Sequence, residues 1–517
     1  MGDRGRRVRH RGTTGADRRP GRAARHRGRI PQPHLGVRVR NQRTQRLRRV
    51  RGTARPRGGA RNRHVLGRGR RRERARGPGP PRRPRAAAPR QGRTPQHRCV
   101  RAAARGIGRH ADQGDPGRRT PGRAGHRIRR LRRRHLRRAR AEPAVRLRAG
   151  VVSTGPVGVG VIGAGVISGE YLRNLTTFPD LSVRFVADLD TDRAKAQADA
   201  FAVPASGTVA ELLAREDIEI VVNLTIPAVH VEVGLEILRA GKHVWSEKPV
   251  AMDRESSRLL LDEAKRRGLR VACAPDTVLG SGIQTGLRAI KDGRIGEPLT
   301  ALAIMQSPGP ESWHPSPEFL FDTGGGPLFD IGPYYLTALV HIFGPVRRVS
   351  ATSSRSRATR VIGSGPRAGT EFPVNVPTAH SALLEFTSGA SAVAVFSFES
   401  HLTRAGLVEV TGASGTLALP DPNGFGGPSQ LWRDGGEPDV IDAVGAEYGR
   451  GAGVLDLARA IRSGADERAS AVVAFHVLDV MVAITEAAAS GSAVTPQSTA
   501  TQPDALPHQW DPAARTL

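Results

Sequence analysis

Cysteine is nearly absent, with only Cys99 and Cys273 in 517 residues. The two lie in compositionally different segments and form no metal-ligand spacing, so a disulfide framework is excluded, no metal site is expected, and a reducing cytoplasm is the expected location. No apolar stretch reads as long enough to span a bilayer, and no apolar run follows the arginine pairs near the start. Neither a membrane span nor a twin-arginine signal is therefore expected. Lysine is scarce as well, at five in the whole chain, and residues 1–150 contain no lysine, Phe, Tyr or Trp.

That first segment carries arginine instead: 51 Arg against 6 acidic residues, a net charge of +45. The whole chain is +34, so 34 minus 45 leaves −11 for residues 151–517, and the basic character belongs to the first segment alone. Without aromatics or a helix or strand period it cannot bury enough surface to offset the entropy of ordering, and disorder is expected. As a real arm it would hold nucleic-acid phosphates non-specifically, the only route to a nucleic-acid partner. The preferred reading is that residues 1–151 are out of frame or follow a mis-called start. Arginine without lysine amid Gly, Pro and Ala is what a GC-rich strand yields in a wrong frame, and a GTG start would be read as Val at Val151 or Val152.

From Val157 the pattern becomes regular. Short apolar runs (Val157–Ile162, Val183–Ala187, Ile218–Leu224, His243–Ser246, Val271–Ala274) alternate with helical stretches, one capped by Asp253 and closed by Gly268. That alternation predicts a parallel, doubly wound sheet over residues 152–275. Beyond Pro275 the rhythm changes to helices at Ile283–Lys291 and Gly332–Phe343 and to strands such as Ser381–Phe386, Ser391–Phe398 and Gly415–Leu419. Residues 276–494 are expected to form an α+β domain on a large, mainly antiparallel open sheet, followed by a surface tail at 495–517.

Gly163-Ala164-Gly165-Val166-Ile167-Ser168 opens the first helix directly after the first strand. Glycines there allow a tight turn and close approach of a pyrophosphate, which sits on the amides at the positive end of the helix. Gly163, Gly165, Val166 and Ile167 are thus candidate dinucleotide contacts, although the third glycine position holds Ser168. Asp188, 25 residues after Gly163, ends the second strand; it would accept bonds from the adenosine ribose and repel a 2′-phosphate, favouring NAD over NADP.

Three further blocks stand in order: Asn223-Leu224-Thr225-Ile226-Pro227-Ala228-Val229-His230, then Glu247-Lys248-Pro249, then Gly324-Gly325-Gly326-Pro327-Leu328-Phe329-Asp330-Ile331-Gly332-Pro333-Tyr334-Tyr335. With these the chain from about Val157 to about Val494 resembles the Gfo/Idh/MocA oxidoreductases. The resemblance implies that Glu247 and Lys248 end a strand at the nicotinamide edge and that Thr225, Pro227 and His230 line the same crevice. Asp330 and Tyr334 would line the substrate pocket. Tyr334 replaces the usual His, as in the branch that includes glucose–fructose oxidoreductase, and Thr337 replaces a common Asp. The resemblance also implies a homodimer or homotetramer paired through the open sheet.

Oxidising a secondary alcohol needs a base for the hydroxyl proton. Tyr334 is the expected base, with the Lys248 ammonium beside it to favour the phenolate and Asp330 to orient a neighbouring substrate hydroxyl. Trp313 and His314, in a Gly/Pro-rich loop, offer a stacking surface and a second base, or else a packed surface Trp. Asp276 stands at a position that often contacts substrate in the family. His476 and Cys273 read as buried core residues. The expected function is NAD-dependent oxidoreduction of a sugar, polyol or inositol-like hydroxyl. The alternatives are a tightly bound NAD that recycles its hydride for elimination or glycosidic cleavage, and an NAD-binding scaffold without catalysis.

Overall fold

The computed structural model describes residues 154–517. The expectations for residues 1–151, Cys99 included, lie outside the described residues.

Six short strands, β1 (Val157–Ile162), β2 (Leu181–Ala187), β3 (Ser206–Gly207), β4 (Ile220–Asn223), β5 (His243–Ser246) and β6 (Val271–Cys273), form a sheet in the order β3-β2-β1-β4-β5-β6. All its pairs are parallel. The connecting helices are α1 (Ser168–Leu175), α2 (Thr191–Ala200), α3 (Val209–Leu213), α4 (His230–Arg239) and α5 (Arg254–Arg267). Asp253 caps α5 through the Ser256 N–H, and Gly268 ends it in the left-handed conformation, as the sequence predicts.

After α6 (Ser281–Lys291) the chain builds an eight-stranded sheet ordered β16-β15-β14-β13-β7-β12-β11-β8. Its strands are β7 (Pro298–Gln306), β8 (Val346–Ser354), β11 (Ala379–Phe386), β12 (Ser391–Ser397), β13 (Arg404–Gly412), β14 (Gly415–Leu419), β15 (Ser429–Trp432) and β16 (Asp439–Ile441). β9 (Thr359–Val361) and β10 (Glu371–Pro373) make a separate ladder. The β7–β12 pair is parallel and the other pairs of the large sheet are antiparallel. Helices α7 (Gly326–Asp330) and α8 (Gly332–Phe343) interrupt the strands, and α9 (Ala452–Ser463) and α10 (Ala471–Ser490) close the fold. Every residue of α8 is buried.

The closing helices divide their work. Val454, Leu455, Leu457 and Ala458 of α9 join the core of the parallel sheet, with Val159, Trp245 and Ala272. Helix α10 packs on α8 and β8. At 20 residues it is long and apolar enough, by length and composition, to cross a membrane, which corrects the expectation that no stretch reaches that length. Most of it is buried inside the protein instead, with polar groups satisfied there. His476 receives the Val346 N–H at 2.9 Å and meets the Ser498 hydroxyl at 3.0 Å, and Asp479 pairs with Arg254. The tail returns to the parallel sheet, where the Thr516 and Leu517 amides donate to the buried Asp180 carboxylate.

Candidate active site

Strand order reverses between β1 and β4, so the carboxyl ends of β1, β2, β4 and β5 open onto one crevice, the place where ligands bind such sheets. Gly163 has φ +100°, and a Cβ there would lie 2.7 Å from the Leu224 carbonyl oxygen. A Cβ on Gly165 would meet nothing within 4 Å, so this turn faces open space. Ser168 is buried and donates its hydroxyl to the Gly165 carbonyl at 2.6 Å, which gives the serine at the third motif position a turn-closing task. Helix α1 starts with no side-chain cap; its Ser168 and Glu170 amides turn back to the Gly165 and Ile167 carbonyls, so the glycine turn ahead of it is the part that an anion would meet.

Val166, Leu189 and Ile226 are 100%, 98% and 67% exposed around this crevice. Apolar side chains left bare beside a glycine turn fit the flat base and ribose of a dinucleotide. Leu189 and Ile226 escape a motif search because each follows the residue that carries the motif. Thr225 is held by hydrogen bonds to the Asn223 carboxamide, and Pro227 is exposed beside it. The Asp188 carboxylate accepts from the Ala164 N–H at 2.7 Å, the Asp190 N–H at 2.9 Å and the Arg193 guanidinium at 2.7 Å. Burial opposes its charge, but these donors outweigh burial and hold the carboxyl below its usual range.

Two expected cofactor contacts lie behind the crevice wall instead. His230 is buried, with Nδ1 2.8 Å from the Pro249 carbonyl and Nε2 3.0 Å from the Thr225 carbonyl; its ring ties two crevice loops together. Glu247 is also buried, accepting from the Tyr171 hydroxyl at 2.8 Å and the Lys248 N–H at 2.9 Å. Both correct the expectation of direct contact, because their polar atoms are spent on the protein.

Lys248, Asp330 and Tyr334 do come together. Lys248 Nζ donates to the Asp330 carbonyl at 2.7 Å and its carboxylate at 3.0 Å, and lies 5.3 Å from the Tyr334 ring centroid. Burial opposes the ammonium charge, but Asp330, Tyr334 and Glu247 outweigh it and hold Lys248 well above its usual range. The Lys248 ammonium thus stands beside Tyr334 as expected, but not at its oxygen. Lys248 sits over the ring, and the cation at the oxygen is Arg450, whose Nη2 donates to Tyr334 Oη at 3.1 Å. Arg450 also approaches Glu247 Oε1 to 4.0 Å. Sequence reading misses Arg450, which lies 116 residues from Tyr334 in no motif; the flanking Gly449 and Gly451 were its only signal.

Asp276 is corrected as a substrate contact. It is fully buried, and its Oδ2 accepts from the Gly451 N–H at 2.7 Å and the Gly453 N–H at 3.2 Å. Burial pushes its carboxyl up to about 6, against the lowering effect of Arg450 and the two amides. The Trp313–His314 loop stands apart from the lysine cluster. His314 packs edge-on between Trp313 (5.6 Å) and Phe319 (5.5 Å) and accepts from the Ser316 N–H. Trp313 is 66% exposed, so the loop keeps an open aromatic surface.

Comparison with known proteins agrees with this geometry. Residues 157–274 match the oxidoreductase family with an NAD-binding Rossmann fold, and residues 283–418 match the GFO/IDH/MocA C-terminal domain. The dTDP-3,4-didehydro-2,6-dideoxy-alpha-D-glucose 3-reductase of Streptomyces antibioticus is 33% identical over 196 residues, 37% of this chain and 58% of the relative. The 1,5-anhydro-D-fructose reductase of Ensifer adhaerens is 29% identical over 33% of this chain and 51% of the relative. The chain thus spans between half and three fifths of the length of these two relatives. Levoglucosan dehydrogenase, solved with NADH and L-sorbose, shares the fold with a TM-score of 0.58 at 21% identity, covering 67% of this chain and 100% of that one.

Proposed function

Because the chain belongs to the Gfo/Idh/MocA oxidoreductase family through residues 157–274 and 283–418, we propose that it moves a hydride between NAD and a secondary hydroxyl of a sugar or polyol, with Tyr334 exchanging the proton. The observation that carries this reading is the joining of Tyr334, Lys248 and Asp330 across the two sheets, beside the β5 end of the crevice. The sugar-reductase names of the relatives support the substrate class.

The dinucleotide, when bound, supplies the hydride donor or acceptor. The turn carrying Gly163, Gly165, Val166 and Ile167 would hold its phosphates, and Leu189 and Ile226 its adenine end. Asp188 would face the adenosine ribose. Tyr334 takes the hydroxyl proton on oxidation and returns it on reduction. The Asp330-anchored Lys248 ammonium would polarise the reacting oxygen.

The test follows NADH absorbance with the full chain, and with protein begun at Val152, against inositols, aldoses, glycosides and keto-deoxy sugars. Turnover that falls about a hundredfold or more in Tyr334→Phe and Lys248→Met supports the proposal. Substrate breakdown without net NADH change would favour a recycled hydride, and NADH binding without any turnover would favour a non-catalytic scaffold.

A further inference from the structure

We infer that Arg450 is a positioning residue for proton transfer, which holds the Tyr334 oxygen ready to carry negative charge. The inference rests on the reading of Tyr334 as the proton-exchanging group. Two cations flank the ring, Lys248 at 5.3 Å and Arg450 at 5.7 Å from its centroid, but of these Arg450 makes the hydrogen bond to the oxygen. A charge-assisted donor on a phenol oxygen favours the phenolate. Lys248 is engaged by Asp330 and lies over the face of the ring, so the two cations divide the work: Lys248 holds Asp330, and Arg450 holds the tyrosine oxygen.

The backbone that carries the guanidinium is held on both sides. The Arg450 carbonyl accepts from the Asn174 side chain of α1 at 3.0 Å. The next amides, Gly451 and Gly453, donate to the buried Asp276. A Cβ on Gly453 would fall 2.0 Å from the Trp245 ring, so the segment lies flush against β5. Residues 448–453 thus form a strap from the dinucleotide-side helix to the tyrosine, which places the Arg450 backbone within side-chain reach of Tyr334. During oxidation the substrate O–H bond breaks, its proton moves to Tyr334 Oη, and Arg450 releases no proton of its own. During reduction the same proton returns to the new hydroxyl.

The test uses the full chain and the variants Arg450→Met, Arg450→Lys and Tyr334→Phe. Phenolate ultraviolet absorbance is recorded against pH, and subtracting the Tyr334→Phe trace isolates the Tyr334 component. We expect Arg450→Met to move that component upward by about one pH unit or more, and Arg450→Lys to restore part of the shift. The pH dependence of kcat should move in the same direction, with kcat down about tenfold to a hundredfold and KM within about threefold. A Tyr334 component that stays in place in both Arg450 variants overturns the inference. The absorbance readout needs no turnover, so a wild-type protein inactive on every sugar would defeat the proposed function and still decide this contact.

Discussion

At the residue scale, the buried carboxylate of Asp276 ties stability to pH. Its folded-state pKa, about 6, lies above the ordinary carboxylate value, so its stabilising contribution is greatest below about pH 4 and is lost as pH rises through about 6. A shift of about 2 units corresponds to about 3 kcal/mol at neutral pH. Asp276→Asn keeps an acceptor for the Gly451 and Gly453 amides without the charge. Its unfolding midpoint relative to wild type should rise between pH 4 and 7 in denaturant titrations, and an unchanged difference would refute the account. Asp188 predicts cofactor choice. Its carboxylate engages Arg193, and Asp188→Ser would both remove the repulsion and free that arginine. The ratio of NADP to NAD efficiency should rise about tenfold or more, about 1.4 kcal/mol. Lys248, Asp330 and Tyr334 are legible in the sequence because each sits in a contiguous block at a strand or helix end. Arg450 is not, because only tertiary closure brings it to Tyr334.

At the scale of elements, capped and periodic segments are legible. Asp253 and Gly268 bound α5, and the glycine turn between β1 and α1 falls where the strand-then-helix pattern puts it. β8 is hidden because Arg347, Arg348 and its serines face outward and mask its few buried positions, Val346 and Val349. The parallel β7–β12 pairing is hidden as well, since a strand pattern carries no direction. His230 shows a motif residue working through an element instead of a ligand. It joins the loop after β4 to the loop after β5, and losing the ring removes its contacts with the Thr225 and Pro249 carbonyls, one of which takes the ring N–H. His230→Ala should cost about 2 to 4 kcal/mol and raise KM for NAD more than it lowers kcat. An unchanged KM would mean that the two loops hold their places without it.

At the scale of the molecule, the outer face of the large sheet carries a row running Leu383, Val393, Leu302 across three paired strands. All three are more than 40% exposed. Val395 and Ile304, paired in the adjacent row, are half-buried on the same face. The expected pairing of copies through this sheet would cover the stripe. Leu302→Glu with Val393→Glu should then reduce the mass in light scattering to that of one chain, whereas an unchanged mass would assign the stripe no part in assembly. The placement of α9 has a different consequence, for biosynthesis. The core of the dinucleotide-binding sheet takes Val454, Leu455, Leu457 and Ala458 from a segment made nearly two hundred residues after β6, so on the ribosome that sheet waits, one face only partly covered by α1 and α2, while the substrate-side sheet is still being synthesised. A fragment ending near Pro275 would carry every dinucleotide motif and lack part of the wall that holds them up. Chaperone dependence during synthesis, and failure of that fragment to stand alone, follow from the same late-arriving helix.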